Sequence, residues 1–487
     1  MAIGLLGSAA NCAENEMTVQ ISSEPTQFDP FMMEDGVGMQ LAANTIASPY
    51  EYDSDGNLKP ALVEKLTVSR DHLRYTFRFK KNLKWSDGVS FQSSQFMLAI
   101  KRVVNEVVRP ATSQFFPKID LKRSRAIDAL TVEVVLLERD PLFTAWCTLP
   151  AFAPLRPDML EIYQSKRTPV VPTLAAYQVV DYKRDEWLQL KANPLFYDQA
   201  RVSIQDIKIR IIKDEAALYS LLKAGSLDIV SRVPALQLEQ FKKISTINET
   251  RIEGLTYLGL NVRKPPFNEL KNRQFFRDAV VEKNGELAQL LKTGEIGATT
   301  FIPALLWQPG FHGLSDSRSP GELKRVDSKL KVNLQSDNGS RNLAIMEFVQ
   351  SICKKSQAWS TVLDIMDFKT HYAKLKTEPN EAYRFGWLNP VSDPYVMYQV
   401  LMSKSPNNFT GWANADYDQA VEALRRETVL IKRGQWVSKI ESILYREAPV
   451  VPLLHQVARF GISKRVLGFH ANPFGVMRFR EFRLTPQ

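Results

Sequence analysis

Apolar and polar residues alternate along this chain with two periods, one of two residues and one of about 3.6, and the switch between them recurs from end to end. Tyr75, Phe77 and Phe79 alternate with Thr76, Arg78 and Lys80, which predicts a half-buried strand. Trp85-Ser86-Asp87-Gly88 follows, and its Asp-Gly step predicts a tight turn because glycine tolerates positive φ. Beyond Ser93 and Ser94, either of which can cap a helix, Phe96, Ile100, Val103 and Val104 fall on one helical face. Ile207, Ile209 and Ile211 give another strand. Asp214 then caps a helix with Leu218, Leu221 and Leu222 on one face, stopped by Gly225. "SLDIV" resumes an extended run. "LKVNLQ" (330–335) predicts a strand followed by a helix through Leu343, Met346, Val349 and Ile352. Trp436, Val437, Ile440, Ile443 and Leu444 mark a further helix, and "APVVPLLH" (448–455) a strand begun by prolines. Such alternation predicts α/β lobes.

Length sets the scale. A chain of 487 residues exceeds one simple core and predicts two or three compact units. With 44% hydrophobic and 24% charged residues it has the make-up of a folded soluble protein. No apolar run approaches the roughly 18 residues that a membrane-spanning helix needs. The 63 basic against 53 acidic residues leave a formal charge of +10. Apart from short groups such as Lys80-Lys81 and Lys122-Arg123, the two signs are interspersed. That is the pattern of a solvated surface, and no nucleic-acid partner is expected.

The three cysteines, Cys12, Cys147 and Cys353, exclude a dense disulfide framework. Cys147 and Cys353 lie in apolar-flanked segments and read as buried thiols, with a single bridge left open. Cys12 follows "MAIGLLGSAAN" and precedes the polar "AENEMT". Residues 1–16 therefore resemble the remnant of a secretory signal ending in a lipid-modified cysteine, although a basic leading region is missing. Export is expected, with Cys12 as the lipidation candidate. The alternative is an apolar tail with an incidental cysteine.

The common enzymatic signatures do not occur: there is no G-x-S-x-G, H-E-x-x-H, C-x-x-C or G-x-x-x-x-G-K-[ST]. Gly36 and Gly38 make only a fragment of a dinucleotide loop. Histidines 72, 312, 371, 455 and 470 include no pair at ligand spacing on a helix. Neither a catalytic residue, a cofactor nor a metal is expected.

Separated segments nevertheless resemble one family in order. "SEPTQFDP" (23–30) with "YEYDSDGNLKPALVEKL" (50–66) is similar to the opening of the family-5 solute-binding proteins, the oligopeptide-, dipeptide- and nickel-binding receptors of bacterial ABC importers. "YTFRFKKNLKWSDGVSF" resembles the family signature and is the most specific motif. "NPLFYDQARVSIQDIKIRIIKDEAALYSLLKAGSLDI" (193–229), "YLGLNVRKPPFNELKNRQFFRDAV" (257–280) and "NNFTGWANADYDQAVEAL" (407–424) with "APVVPLLH" continue the series. The resemblance implies an α/β, two-lobed periplasmic-binding-protein fold of class II type with an additional third domain, closing on ligand as a hinged clamp. Lobe I would comprise residues 17–46, 173–258 and 460–487, the extra domain 47–172, and lobe II 259–459. On this reading Trp85 is scaffold for a turn of the extra domain.

The departures from the family pattern bear on the ligand. Where members show a Gly-rich turn between lobes, this chain has Thr173-Leu174-Ala175-Ala176-Tyr177. In "RFGWLNPVSDPY" (384–395), Gly386-Trp387 match the family, but the aspartate that holds a peptide's α-ammonium, three residues after the tryptophan, is replaced by Pro390. A proline ring offers neither charge nor donor. Asp393 matches a second acidic position. Either it takes over the ammonium, or the ligand's amino end is not read. Arg384 matches an arginine facing the ligand's carboxylate end, with a surface ion pair as the alternative. Glu34 falls near an acidic contact of lobe I, and Trp387 is either a flat ligand wall or a packing residue. Glu34, Arg384, Gly386, Trp387 and Asp393 are thus the candidate ligand-binding residues.

The resemblance implies a non-enzymatic monomer that captures peptides, expected to be oligopeptides, in the periplasm or on the outer face of the cytoplasmic membrane. A lipid anchor is an option there, and a membrane-embedded permease is the partner. Two alternatives stay open: the same fold binding a non-peptide small solute, and a surface or regulatory interaction protein without transport.

Overall fold

The first strand, β1 (Glu16–Ile21), turns Met17, Val19 and Ile21 into an apolar core, and the helix after it, α1 (Gly36–Thr45), begins where Asp35 accepts the amide of Gly38 at 2.8 Å. In this computed structural model, residues 16–106, 110, 113, 116–165, 168–311, 313 and 329–485 are described. Cys12 and the signal-like segment lie outside the described residues. The chain forms two compact units, one of residues up to Thr250 together with those from Ala458, the other Arg251–Val457. Among the described residues, no helix is long and apolar enough to cross a membrane.

Beside the short two-stranded pairs Tyr50–Tyr52 with Leu58–Pro60 and Val466–Leu467 with Arg483–Leu484, the first unit holds two main sheets. The smaller runs β2 (Val63–Val68), β3 (Arg74–Phe79), then β4 (Arg125–Asp128) and β5 (Thr131–Val135), in the order β2-β3-β5-β4, all antiparallel. The alternation predicted for residues 75–80 is present: Tyr75, Phe77 and Phe79 are buried. Phe77 and Phe79 meet Phe96 of the helix Ser93–Asn105 edge to face, with ring centroids 5.5 and 5.3 Å apart. Neither expected serine caps this helix. Gln92 is the N-cap, and its amide donates to Gln95 Oε1 at 3.1 Å, while Ser93 is inside the helix and donates to the Asp128 carbonyl. Trp85 is 2% exposed, and its indole N–H donates to Gln95 Oε1 at 3.0 Å, so the turn and the helix start share one acceptor. Gly88, at φ +88°, closes that turn by donating to the Trp85 carbonyl at 2.8 Å.

The larger sheet of this unit uses β6 (Tyr177–Lys183), β7 (Trp187–Ala192), β8 (Asp206–Ile211) and β9 (Ile229–Val230), in the order β9-β1-β8-β7-β6. β1 lies parallel to β8 and β9, and the remaining pairs are antiparallel. Ile207 and Ile209 are sealed within the core beside Leu188, Leu190 and Tyr177, each such aliphatic side chain contributing about 1.5–3 kcal/mol. Asp214 caps the helix Glu215–Lys223 as expected. The Thr173–Tyr177 segment manages without glycine because no residue in it takes a positive φ. Thr173 Oγ1 fastens it, donating to the Thr45 carbonyl at 2.7 Å and accepting the Ala175 amide at 2.9 Å.

β10 (Thr246–Leu260) carries the chain into the second unit. There β11 (Leu330–Asp337), the helix α2 (Ser340–Ser356), β12 (Trp359–Met366), the helix α3 (Phe368–Thr377) and β13 (Ala382–Leu388) form a sheet ordered β12-β11-β13-β10. β11 is parallel to both neighbours, and β13 is antiparallel to β10. Leu258, Leu260, Leu334, Met346 and Val349 share one core. The helices α4 (Pro394–Tyr398), α5 (Ala415–Arg426) and α6 (Leu430–Glu447) follow, and β14 (Val450–Ile462) returns the chain to the first unit. The strand expected from residue 448 starts instead at Val450. Ala448 takes φ 46° and donates to the Leu444 carbonyl, closing α6. Cys147 and Cys353 are free and buried, which removes the option of a bridge, and burial pushes Cys353 up to about 12.

Candidate functional site

Four of the five candidate binding residues fall on or just after β13, and alternation along that strand divides them. Arg384 and Gly386 point to one face, opposite Leu258 and Thr256 of β10, while Phe385 and Trp387 point to the other, opposite Tyr257 and Leu255. Glu34 belongs to the other unit, exposed on the segment just before Asp35 caps α1.

On the first face, the apolar core gives way to a polar group at the end of β11. Arg384 Nη2 donates to Asp337 Oδ2 at 3.0 Å. Asp337 also accepts the Asn342 side-chain amide at 2.7 Å and the Gly339 backbone amide at 3.2 Å. Burial pushes the Asp337 carboxyl up, but the Arg384 charge and these two donors outweigh it and hold it below the ordinary carboxylate range. Arg341, in the first turn of α2, forms a two-pronged pair with Glu295: Nε donates to Oε2 at 2.9 Å, and Nη2 to Oε1. The same Nη2 and the Gln456 amide both reach Thr256 Oγ1 at 3.3 Å. A side chain at Gly386 would begin 3.4 Å from Gln456 Nε2, so its absence leaves that amide beside the strand.

The backbone of Arg384 is fixed from the opposite face by α3. His371 is fully buried; the Gln335 amide lies 3.2 Å from its Nδ1, and its Nε2 lies 3.0 Å from the Arg384 carbonyl. With Gln335 donating to Nδ1, the Nε2–H donates to the Arg384 carbonyl, and burial lowers the pKa of the ring, which keeps it neutral. Around it the rings of Tyr372, Phe385 and Phe409 pack on one another, with Phe385 edge-on to Phe409 at 5.5 Å.

The loop after β13 is tied down by acids. Asn389 donates its side-chain amide to Glu253 Oε2 at 2.9 Å and its backbone amide to the Glu253 carbonyl at 2.8 Å, and Ser392 donates to Oε1. Asp393 is the N-cap of α4, accepting the Tyr395 amide at 2.9 Å, and its other oxygen meets Arg433 Nη2 at 2.5 Å. Reaching a ligand would break a buried ion pair and a helix cap together. Residues that hold Arg384 and the loop in place, namely Asp337, Arg341, Glu295, His371 and Glu253, were not singled out from the sequence. Only Asp337-Asn338-Gly339, an acid and a turn between strand and helix, carried a local signal.

These features place a polar face, satisfied by internal pairs, at the end of a mixed sheet in an α/β unit. A family model for bacterial extracellular solute-binding proteins, family 5 (middle), matches residues 57–409, and the chain belongs to that family. Its members bind solutes and are not enzymes. The dipeptide-binding protein DppE of Bacillus subtilis is 24% identical, over 96% of this chain and 91% of that protein. The probable deoxycholate-binding periplasmic protein YgiS of Escherichia coli is also 24% identical, over 89% and 86%. The murein tripeptide binding protein MppA of Escherichia coli superposes with a TM-score of 0.82 at 21% identity, covering 97% of this chain and 99% of MppA. The fold is therefore the multi-domain periplasmic-binding-protein fold of that group.

Proposed function

We propose that this chain captures peptides outside the bacterial cytoplasmic membrane and delivers them to the membrane-embedded permease of an ABC importer. The observation that carries the reading is the match, over almost the whole chain, to a protein named for dipeptide binding. In this reading lobe I (17–46, 173–258 and 460–487), the extra domain (47–172) and lobe II (259–459) work as a clamp that closes on the ligand. Glu34 from lobe I and Arg384, Gly386 and Trp387 from lobe II contact it. Asp393 serves the fold, and the ligand's amino end is not read at that position. The protein acts as a monomer.

Native mass spectrometry of freshly purified protein, followed by small-angle scattering with and without the peptides it retains, tests the proposal. Bound peptides and a smaller radius of gyration are expected. Retention of non-peptide compounds alone, or an unchanged radius with peptide bound, counts against it.

A second reading, a non-peptide solute in the same fold, draws on a specific observation. Pro390 stands where the family's ammonium-binding aspartate is expected, and the nearest acid, Asp393, is engaged by Arg433. The likeness to a probable deoxycholate-binding protein agrees with it. The same mass measurement separates the two.

A further inference from the structure

Two arginines, Arg384 and Arg341, stand at the polar end of the second unit's sheet, and each faces an acid of its own. Arg384 is paired with Asp337, whose side chain is 8% exposed and held by Asn342 and the Gly339 amide. Arg341 is paired through two nitrogens with Glu295, whose side chain is 5% exposed. The uncharged Asn342 side chain links the two pairs, accepting from Arg341 Nη1 at 3.1 Å and donating to Asp337 at 2.7 Å, and the Thr256 hydroxyl with the Gln456 amide lies beside Arg341. A carboxylate arriving at Arg384 would meet the Asp337 carboxylate on the same guanidinium, 3.0 Å from its Nη2. Like charges brought together in a half-buried place repel strongly, so the newcomer gains little from the arginine unless Asp337 leaves. Leaving would break the Asn342 and Gly339 hydrogen bonds.

We propose that Asp337 and Glu295 are specificity-determining residues: by closing Arg384 and Arg341 into internal ion pairs, they leave this face without a charge that reads a terminal carboxylate, so that an uncharged polar group of the ligand, such as an amide or hydroxyl, is accepted there about equally well. The inference rests on the reading that this face contacts a bound peptide. It departs from the role that resemblance gives Arg384, because the arginine's charge is already answered within the fold.

The probe is a library of short peptides built from Ala, Ser, Phe and Lys, made once as free acids and once as C-terminal amides. Both forms compete for the intact protein, with retention read by native mass spectrometry. Wild-type protein is expected to hold the two forms within about threefold of each other, because the ion pairs leave no net charge to read. Asp337→Asn is expected to favour the free acids by about tenfold or more, since Arg384 then lacks its acid, and Glu295→Gln to shift the preference the same way. Circular dichroism checks that each variant is folded. Should Asp337→Asn fail to fold, Asn342→Ala loosens Asp337 without removing it and is expected to shift the preference in the same direction. A tenfold preference of the wild type for free acids overturns the inference while leaving the peptide reading intact. Absence of binding by either form overturns the peptide reading and this inference with it.

Discussion

The carboxylate of Asp393 lies 2.5 Å from the Arg433 guanidinium, with the two side chains 11% and 7% exposed. Arg433 spends its other donors on the carbonyls of Leu424 and Glu427, each at 2.9 Å, so the pair joins the start of α4 to the connection between α5 and α6. A residue that resemblance offers as a ligand contact thus sits inside a structural knot.

Asp393→Asn separates the two roles. Asparagine keeps an oxygen for the Tyr395 amide, so the helix cap survives while Arg433 loses its countercharge. Removing one partner of a buried pair costs about 3–5 kcal/mol. Urea unfolding should show a loss of that size, and calorimetry on the folded protein should show peptide affinity changed by less than about 1 kcal/mol. A stable variant that no longer binds peptide would return Asp393 to the ligand.

Trp85 presents the opposite case, a motif residue with a purely structural expectation. It is buried, bonded to Gln95 and covered by the Arg156 guanidinium 5.5 Å from its ring centre. Trp85→Ala should cost about 3–5 kcal/mol through the cavity it leaves. Trp85→Phe should cost about 1–2 kcal/mol, mainly for the lost indole hydrogen bond. Chemical denaturation measures both, and peptide affinity in the folded fraction should not move.

What could be read from the chain and what could not divide along physical lines. Period-two and period-3.6 patterns located β3, β8, β11, α2 and α6, because burial of one face dictates residue type at every step of the element. Capping was less legible. Asp214 was recognisable, but Gln92 rather than Ser93 starts its helix, since Ser93 is drawn inward to the Asp128 carbonyl. The surroundings of Arg384 were not legible at all. Asp337 and Gln335 lie on β11 and His371 on α3, and nothing local marks that Asp337 and His371, the latter held by Gln335, converge on one residue of β13. Asp393 shows the same limit in reverse: its partner is 40 residues away in the chain, so an engaged carboxylate reads like an available one.

Cys12 makes a prediction about location. If it carries a lipid, the native full-length gene should yield protein in the membrane fraction, and Cys12→Ser should release it into the soluble fraction. Two acyl chains hold a protein on a bilayer far more firmly than one, each buried methylene adding about 0.8 kcal/mol, so the release should be nearly complete. Soluble protein from both genes would remove the lipoprotein reading and leave export standing.

Glu253 gives the stability a pH dependence of definite sign. Its side chain is buried beside the loop that follows β13, and burial pushes its carboxyl up from 4.5 to about 7. The hydrogen bonds from Ser392 and Asn389 offset that only in part, and the nearby Asp393 charge adds to it. Between about 4.5 and 7 the folded protein therefore holds a proton here that the unfolded chain releases. The associated stability is complete below about pH 4.5 and is lost as pH rises through about 7. A rise of this size is worth on the order of 3 kcal/mol. Glu441, also buried and raised to about 7, acts in the same direction. His455, lowered to about 4 by burial, acts in the opposite one, its contribution being complete above about 6.5 and lost as pH falls towards 4. The informative quantity is therefore the difference between wild type and Glu253→Gln. Glutamine can accept from Asn389 and donate to Ser392, reproducing the protonated carboxyl without its ionisation. Urea unfolding at pH 5 and pH 8 should find Glu253→Gln gaining on the wild type by about 2–3 kcal/mol between the two values. A constant difference across that range would mean that Glu253 keeps the same charge in the folded and unfolded chain.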